Sequence, residues 1–271
     1  MSIHRQIRER VVADLALPAQ DEHVQLNNGL RTLSKWRTLL IQNTMLKHQG
    51  TRVNEGVFEG LDFLTASAEG CHVPKLLGCY EQPLQRHIEE AIHAGYSTIL
   101  NIGCAEGYYA VGLARRVADA NIHAYDIDPK AREICAELAI KNGVRERVSI
   151  GELFRPEDFT DYLGRRVLVL CDIEGAEKEL LDLSRAPALS GMDIIVESHE
   201  CLVPGMTRML MDRFASTHDI TLVEDNGQRL LDNAPGWFSS LAHLDQLLAV
   251  WEWRSGPTPW LVMKVKAQNQ Q

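Results

Sequence analysis

The stretch YSTILNIGCAEGYYAVGLARRVADANIHAYDID, residues 96–128, narrows the possible folds more than any other part of the chain. A short apolar run over 97–102 leads into the turn Gly103-Cys104-Ala105-Glu106-Gly107. Apolar residues at helical spacing follow (Ala110, Val111, Ala114, Val117), and a second short run over 121–125 ends on Asp126. This pattern predicts a strand, a tight turn, a helix and a second strand tipped by an acid. Glycine in the turn lets a ligand approach the backbone, since a Cβ would stand in its way. The start of the helix directs unpaired N–H groups at the same point. An acid at the next strand tip, roughly twenty residues on, can grip a ribose diol. The unit therefore predicts a nucleoside ligand.

The rest of the chain continues the alternation. Residues 2–16 carry Ile3, Ile7, Val11 and Leu15 on one helical face, ended near Pro18, and residues 21–48 carry Leu30, Leu33, Trp36 and Leu40. RVNEGVFEGLDFL, over 52–64, reads as two short extended pieces around its glycines. A helix is expected over 83–94. Asp128-Pro129 supplies an N-cap and a first-turn proline for a helix with Ala131, Ile134, Cys135, Leu138 and Ala139 on one face, closed by Asn142-Gly143. Strands are expected over 147–150, 167–171, 192–196, 220–223 and 260–265, and helices over 177–183, 206–214 and 241–250. VLVLC, at 167–171, is apolar throughout and predicts a central strand buried on both faces. The fold class is therefore α/β, a doubly wound and mostly parallel sheet with an N-terminal helical extension. The expected division is a helical cap over 1–50 and a main domain over 51–271. Ligands in such sheets sit at the carboxyl ends of the strands.

Composition limits the partners. The net charge of −9 argues against nucleic acid or an anionic membrane surface. The N-terminal MSIHRQIRERVV has no apolar core of a secretory signal, and no apolar run approaches about 18 residues, so neither a leader nor a membrane span is expected. Six cysteines occur without a CxxC pair, which favours reduced thiols and a cytoplasmic location. The apolar faces of the first two helices need a partner, either the sheet or a second copy in a homodimer.

Gly103, Ala105 and Gly107 fall at alternate positions, which departs from the G-x-G-x-x-G of dinucleotide sites. The spacing resembles the first motif of class I S-adenosylmethionine-dependent methyltransferases, (D/E)-x-G-x-G-x-G. Asn101 stands where that family has its first acid, and Ala105 where it has the middle glycine. The resemblance implies that Asn101, Gly103, Cys104, Ala105 and Gly107 hold the methionine part of the cofactor. It also implies that Asp126 binds the ribose, that Ile127 packs on the adenine, and that Glu152 faces the adenine amino group. Asp128 is accounted for as a helix cap.

Asp172-Ile173-Glu174-Gly175-Ala176-Glu177, directly after VLVLC, resembles the D-(V/I)-E-G-A-E signature of FkbM-type methyltransferases. Flanking matches at Leu77-Gly78-Cys79-Tyr80-Glu81 and Val196-Glu197-Ser198-His199 extend the resemblance over about residues 52–225. It implies O-methylation of a small metabolite or sugar hydroxyl, with S-adenosylmethionine as cofactor. Glu81 and Asp172 then join the cofactor-binding residues. Asp172, Glu197 and His199, at two adjacent strand tips, would position and deprotonate the acceptor, His199 as general base. The same three side chains could instead hold a divalent metal ion. Glu174 and Glu177 are accounted for as acids at a helix start. Two other classes stay open on sequence alone: a cofactor-binding scaffold without catalysis, and an NAD(P)-dependent oxidoreductase. The late aromatics Trp237, Phe238, Trp251, Trp253 and Trp260 read as core, with a substrate wall as the alternative.

Overall fold

The computed structural model describes residues 2–18, 21–67 and 71–267. Seven strands form one sheet: β1 (Thr98–Ile102), β2 (Asn121–Tyr125), β3 (Val148–Gly151), β4 (Val167–Cys171), β5 (Asp193–Glu197), β6 (His218–Val223) and β7 (Trp260–Val265). Their order is β3-β2-β1-β4-β5-β7-β6, with β7 antiparallel to both neighbours and the other pairs parallel. This is the mostly parallel α/β sheet expected from the sequence. β1 and β4 are buried along their whole length, which is why they read as unbroken apolar runs.

Alternate residues of the central strands feed two cores, one on each face. Ile99, Leu168, Leu170 and Ile195 pack with α4 (Gln82–Ile92), α5 (Tyr108–Arg116) and α6 (Pro129–Lys141) on one side. Leu100, Val167, Val169, Ile194 and Val196 pack with α8 (Met206–Phe214) on the other. Register then fixes the site. Ile102 lies beside Tyr125 and Cys171, and Tyr125 beside Gly151. The residues that follow them, Gly103, Asp126, Asp172 and Glu152, therefore emerge at one level at the carboxyl ends. Glu197 ends β5 one position beyond Val196, the partner of Cys171, and so stands next to Asp172.

The N-terminal helices, α1 (Ile3–Ala16) and α2 (Glu22–Gln49), begin on the caps Ser2 and Asp21. α2 is not detached from the main domain. Its Ile41 and Met45 enter the core shared with α3 (Val73–Leu77) and α4. Arg37 forms a two-pronged pair with Asp245 of α10 (His243–Ala249) at 2.7 and 2.5 Å. Gln49 accepts from the Trp237 indole of α9 (Gly236–Ser239) at 2.8 Å. Leu26 and Leu30, on the amino-terminal half of α2, stay exposed.

Two local expectations are corrected. The extended pieces over 52–64 reduce to a single antiparallel bridge, Arg52 to Asp62, because Gly56 and Gly60 both adopt positive φ and bend the chain. The helix expected over 177–183 is one turn, α7 (Glu177–Leu180), since the Asp182 carboxylate accepts from Ser184 N–H and starts a turn instead. α3 lacked a periodic signal because all five of its residues are buried. No disulfide forms, and five of the six cysteines are buried, with Cys201 exposed. No helix among the described residues is long and apolar enough to cross a membrane.

Candidate functional site

A cavity of about 610 Å³ opens at the carboxyl ends of β1 to β4. Gly103, Ala105, Asp126, Ile127, Glu152 and Asp172, six of the residues expected to hold a cofactor, line it together. The turn after β1 is tightly tied. The N–H groups of Gly103 and Cys104 both donate to Tyr125 O, at 2.8 and 2.9 Å. Ala105 N–H donates to Asp126 Oδ2 at 2.8 Å, and Asp128 N–H donates to Oδ1 at 2.9 Å. Asp128 itself caps α6 by accepting from Lys130 N–H at 2.9 Å, as expected.

The glycines of the turn also answer to packing within the protein. A Cβ on Gly103 would lie 1.6 Å from Asp172 O, and one on Gly107 would lie 2.6 Å from Cys135 Sγ. Close approach is to the neighbouring strand and helix. Both glycines also take φ above +70°. Ala105 takes φ 44° without the freedom of glycine.

Four expected cofactor residues lie behind the cleft. Asn101 is 2% exposed within β1, and its Oδ1 finds no hydrogen-bond partner among the described residues. Cys104 is buried in the core beneath α5. Gly107 is the N-cap position of α5. Glu81, at the start of α4 with φ 49°, is buried and accepts from the Tyr109 hydroxyl and from Arg254 at 2.9 Å. Burial first, and then the charges of Glu197 and Glu252, push the Glu81 carboxyl up to about 7 against the pull of Arg254.

The second half of the site forms where the tips of β4 and β5 meet. His199 is buried, with its Nδ1 2.7 Å from Glu177 Oε1. Its Nε2 lies 3.5 Å from a carboxylate oxygen of each of Asp172, Glu174 and Glu197. Burial alone would lower the His199 pKa; the Glu177 hydrogen bond and the charges of Glu197, Glu177 and Glu174 outweigh it, so the shift is upward. Asp172 is held well above the usual carboxylate range by burial and by Glu197 and Glu81. Its Oδ1 is buried without a hydrogen bond. Asp172, Glu197 and His199 are thus brought together as expected.

Of the three residues expected to ligate a divalent ion, Glu197 is not free. Glu197 is taken by the Arg254 guanidinium, which also holds Glu81 and Glu252. Asp172, Glu174 and His199 offer atoms within 4.8 Å of one another, but Glu174 there is 71% exposed and was not among the expected ligands. With Glu197 engaged the expected set is incomplete, and no metal is assigned.

Sequence reasoning missed Glu174, Glu177 and Arg254. The first two lie inside the six-residue signature. Glu174 adopts φ 54°, which turns it out of the helix-start role. Arg254 reaches Glu81 and Glu197 across 173 and 57 residues of chain, and no local pattern marks it. None of the five late aromatics lines the cleft. Trp260 is buried beside Tyr109, and Trp237 packs on Phe238.

No family model matches the chain. Ribosomal protein L11 methyltransferase from Klebsiella pneumoniae is 32% identical over 94 residues, 35% of this chain and 31% of that protein. The same enzyme from Pectobacterium atrosepticum is 30% identical over 121 residues, 43% of this chain and 39% of that protein. The chain thus spans about a third of the length of the curated relatives it matches. Among solved structures, an O-methyltransferase from Streptomyces achromogenes involved in tomaymycin synthesis, in complex with SAM, has TM-score 0.44 at 18% identity, covering 69% of this chain and 80% of that one. An O-methyltransferase from Bacillus cereus in complex with SAH has TM-score 0.41 at 15% identity, covering 69% and 90%. Both TM-scores lie below 0.5, a likeness too loose to bear on activity.

Proposed function

We propose that the chain is an S-adenosylmethionine-dependent methyltransferase of class I, and within that class an FkbM-type enzyme that methylates a hydroxyl of a small metabolite or sugar. The observation that carries the reading is the charge of the cleft. Asp126, Glu152, Asp172, Glu174 and Glu179 line it against Arg155 and Arg185, and Arg185 is itself paired with Glu157 at 2.8 Å. An acidic wall suits a cofactor bearing a sulfonium and an ammonium. It repels the pyrophosphate of a nicotinamide dinucleotide, which disfavours the oxidoreductase reading. The curated relatives, matched over part of their length, are methyltransferases and support the class. The FkbM-type assignment rests on residues 172–177 and their flanks.

When bound, the cofactor supplies a methyl group already activated by its sulfonium sulfur, so the protein's part is approach geometry and proton removal. The backbone at Gly103 and Ala105, with Asp172, faces the methionine end. Asp126, with two N–H donors on its carboxylate, keeps lone pairs for a ribose diol. Ile127, 74% exposed, and Glu152 face the adenine. Asp172 and Glu197 orient the acceptor hydroxyl and His199 Nε2 removes its proton. A screen of metabolite pools with methyl-labelled cofactor tests the reading. His199→Ala is expected to lower turnover on the acceptor found by about a hundredfold or more. Unchanged turnover would remove the base. The relatives' target, ribosomal protein L11, makes a protein acceptor the competing outcome of the same screen.

A further inference from the structure

Glu177 is read from sequence as an acid at a helix start, yet its side chain is fully buried and bridges two strand tips. One oxygen, Oε1, accepts from Ile173 N–H at 3.3 Å and Gly175 N–H at 3.2 Å, both in the turn after β4. The same oxygen meets His199 Nδ1, in the segment after β5, at 2.7 Å. A carboxylate can only accept, so the proton of this contact belongs to Nδ1. The other ring nitrogen, Nε2, is thereby left toward Asp172, Glu174 and Glu197.

We propose that Glu177 is the positioning residue of the acceptor-side base: it fixes the His199 tautomer and ring orientation so that Nε2 is the atom that receives the acceptor proton. This deepens the methyltransferase reading and rests on it. In the step, the acceptor oxygen bonds the methyl carbon as the carbon–sulfur bond breaks, and the sulfur keeps that electron pair. The hydroxyl proton passes to Nε2. The imidazolium so formed has Glu177 against Nδ1–H and the carboxylates of Asp172, Glu174 and Glu197 around Nε2–H. The Arg254 guanidinium is committed to Glu197, Glu81 and Glu252. Glu174 brings its carboxylate into this ring from a left-handed backbone that a non-glycine residue seldom adopts.

The competing role for Glu177 is structural, as an acceptor for the 173–175 turn alone. Glu177→Gln separates the two, because the amide oxygen still accepts from all three N–H donors but carries no charge. Glu177→Asp keeps the charge and serves as the conservative variant. The first readout needs neither cofactor nor acceptor: the NMR titration of the His199 imidazole in the free full-length protein. It is expected to move to lower pH in Glu177→Gln and to stay closer to wild type in Glu177→Asp. The second readout is methyl transfer. Glu177→Gln is expected to lower kcat by about tenfold or more, with KM for the cofactor unchanged and the acid limb of the pH profile moved to lower pH. A His199 titration and a pH limb that both stay in place in a folded Glu177→Gln protein would overturn the proposal. A shifted titration without methyl transfer to any acceptor would leave the Glu177–His199 pair standing and overturn the methyltransferase reading instead.

Discussion

At Gly103 a missing methyl group matters more than any side chain in the cleft. The space its Cβ would take is filled by Asp172 O, and its φ is 77°. Gly103→Ala is therefore expected to cost about 3 kcal/mol, from the collision and from the left-handed backbone together, read from chemical denaturation. Ala105, two residues on, shows the opposite case. It holds φ 44°, and its N–H anchors Asp126. Ala105→Gly removes the conformational penalty while adding freedom to the unfolded chain, so stability is expected to stay within about 1 kcal/mol of wild type or to rise. A large loss would mean that the methyl group itself packs against something essential. Sequence placed both residues in the right turn. It assigned the glycine to a ligand alone because a linear pattern cannot show that a neighbouring strand already occupies the space.

Between elements, charge pairing decides how the strand tips are held. Arg254 joins β5, through Glu197, to the start of α4, through Glu81, and also pairs with Glu252. Arg254→Ala leaves these carboxylates buried against one another and is expected to cost about 3–5 kcal/mol. A loss below about 1 kcal/mol would show that solvent replaces the guanidinium. The Glu177–His199 pair joins α7 to the segment after β5, and its contribution depends on pH with a definite sign. Glu177 is held below its ordinary 4.5, so its share is present above pH 4.5 and lost as pH falls through the lower folded value. His199 is held above its ordinary 6.5, so its share is present below pH 6.5 and lost as pH rises through the higher folded value. The stability gap between wild type and Glu177→Gln is expected to be widest between pH 4.5 and 6.5 and to narrow on either side, as read from urea unfolding at stepped pH. A gap independent of pH would contradict the ion pair. Elements with a clear apolar signal, the unbroken run of β4 and the helical period of α6, were legible in sequence to within a residue or so. α3 was not, because a helix buried all round carries no period, and α7 was expected but drawn three residues too long, because a single turn shows no period to mark its end. Asp172, Glu197 and His199 were found because strand ends expose them together. Arg254 was not, since Glu81 and Glu197, which it joins, lie 173 and 57 residues from it in the chain.

On the scale of the molecule, the expected boundary at residue 50 cuts through a shared core. α1 buries only Val11, whereas α2 sends Ile41 and Met45, 2% and 0% exposed, into the packing around α3 and α4. Removal of residues 1–20 is expected to leave a folded protein with a modestly lower melting temperature. Removal of 1–50 is expected to prevent stable folding, since each of the two lost side chains is worth about 2–5 kcal/mol. Soluble, cooperatively melting 51–271 would show that the helical segment is an independent cap. The nucleoside unit and the acidic strand tips belong to this one body, and in the proposed reading they receive a cationic cofactor. Isothermal titration of the full-length protein with S-adenosylhomocysteine and, separately, with NAD addresses that reading directly. One-to-one binding of S-adenosylhomocysteine, weakened by about tenfold or more in Asp126→Ala and matched by no heat with NAD, is the expected result. Binding of NAD, or no binding of S-adenosylhomocysteine by the folded protein, would contradict a methyltransferase.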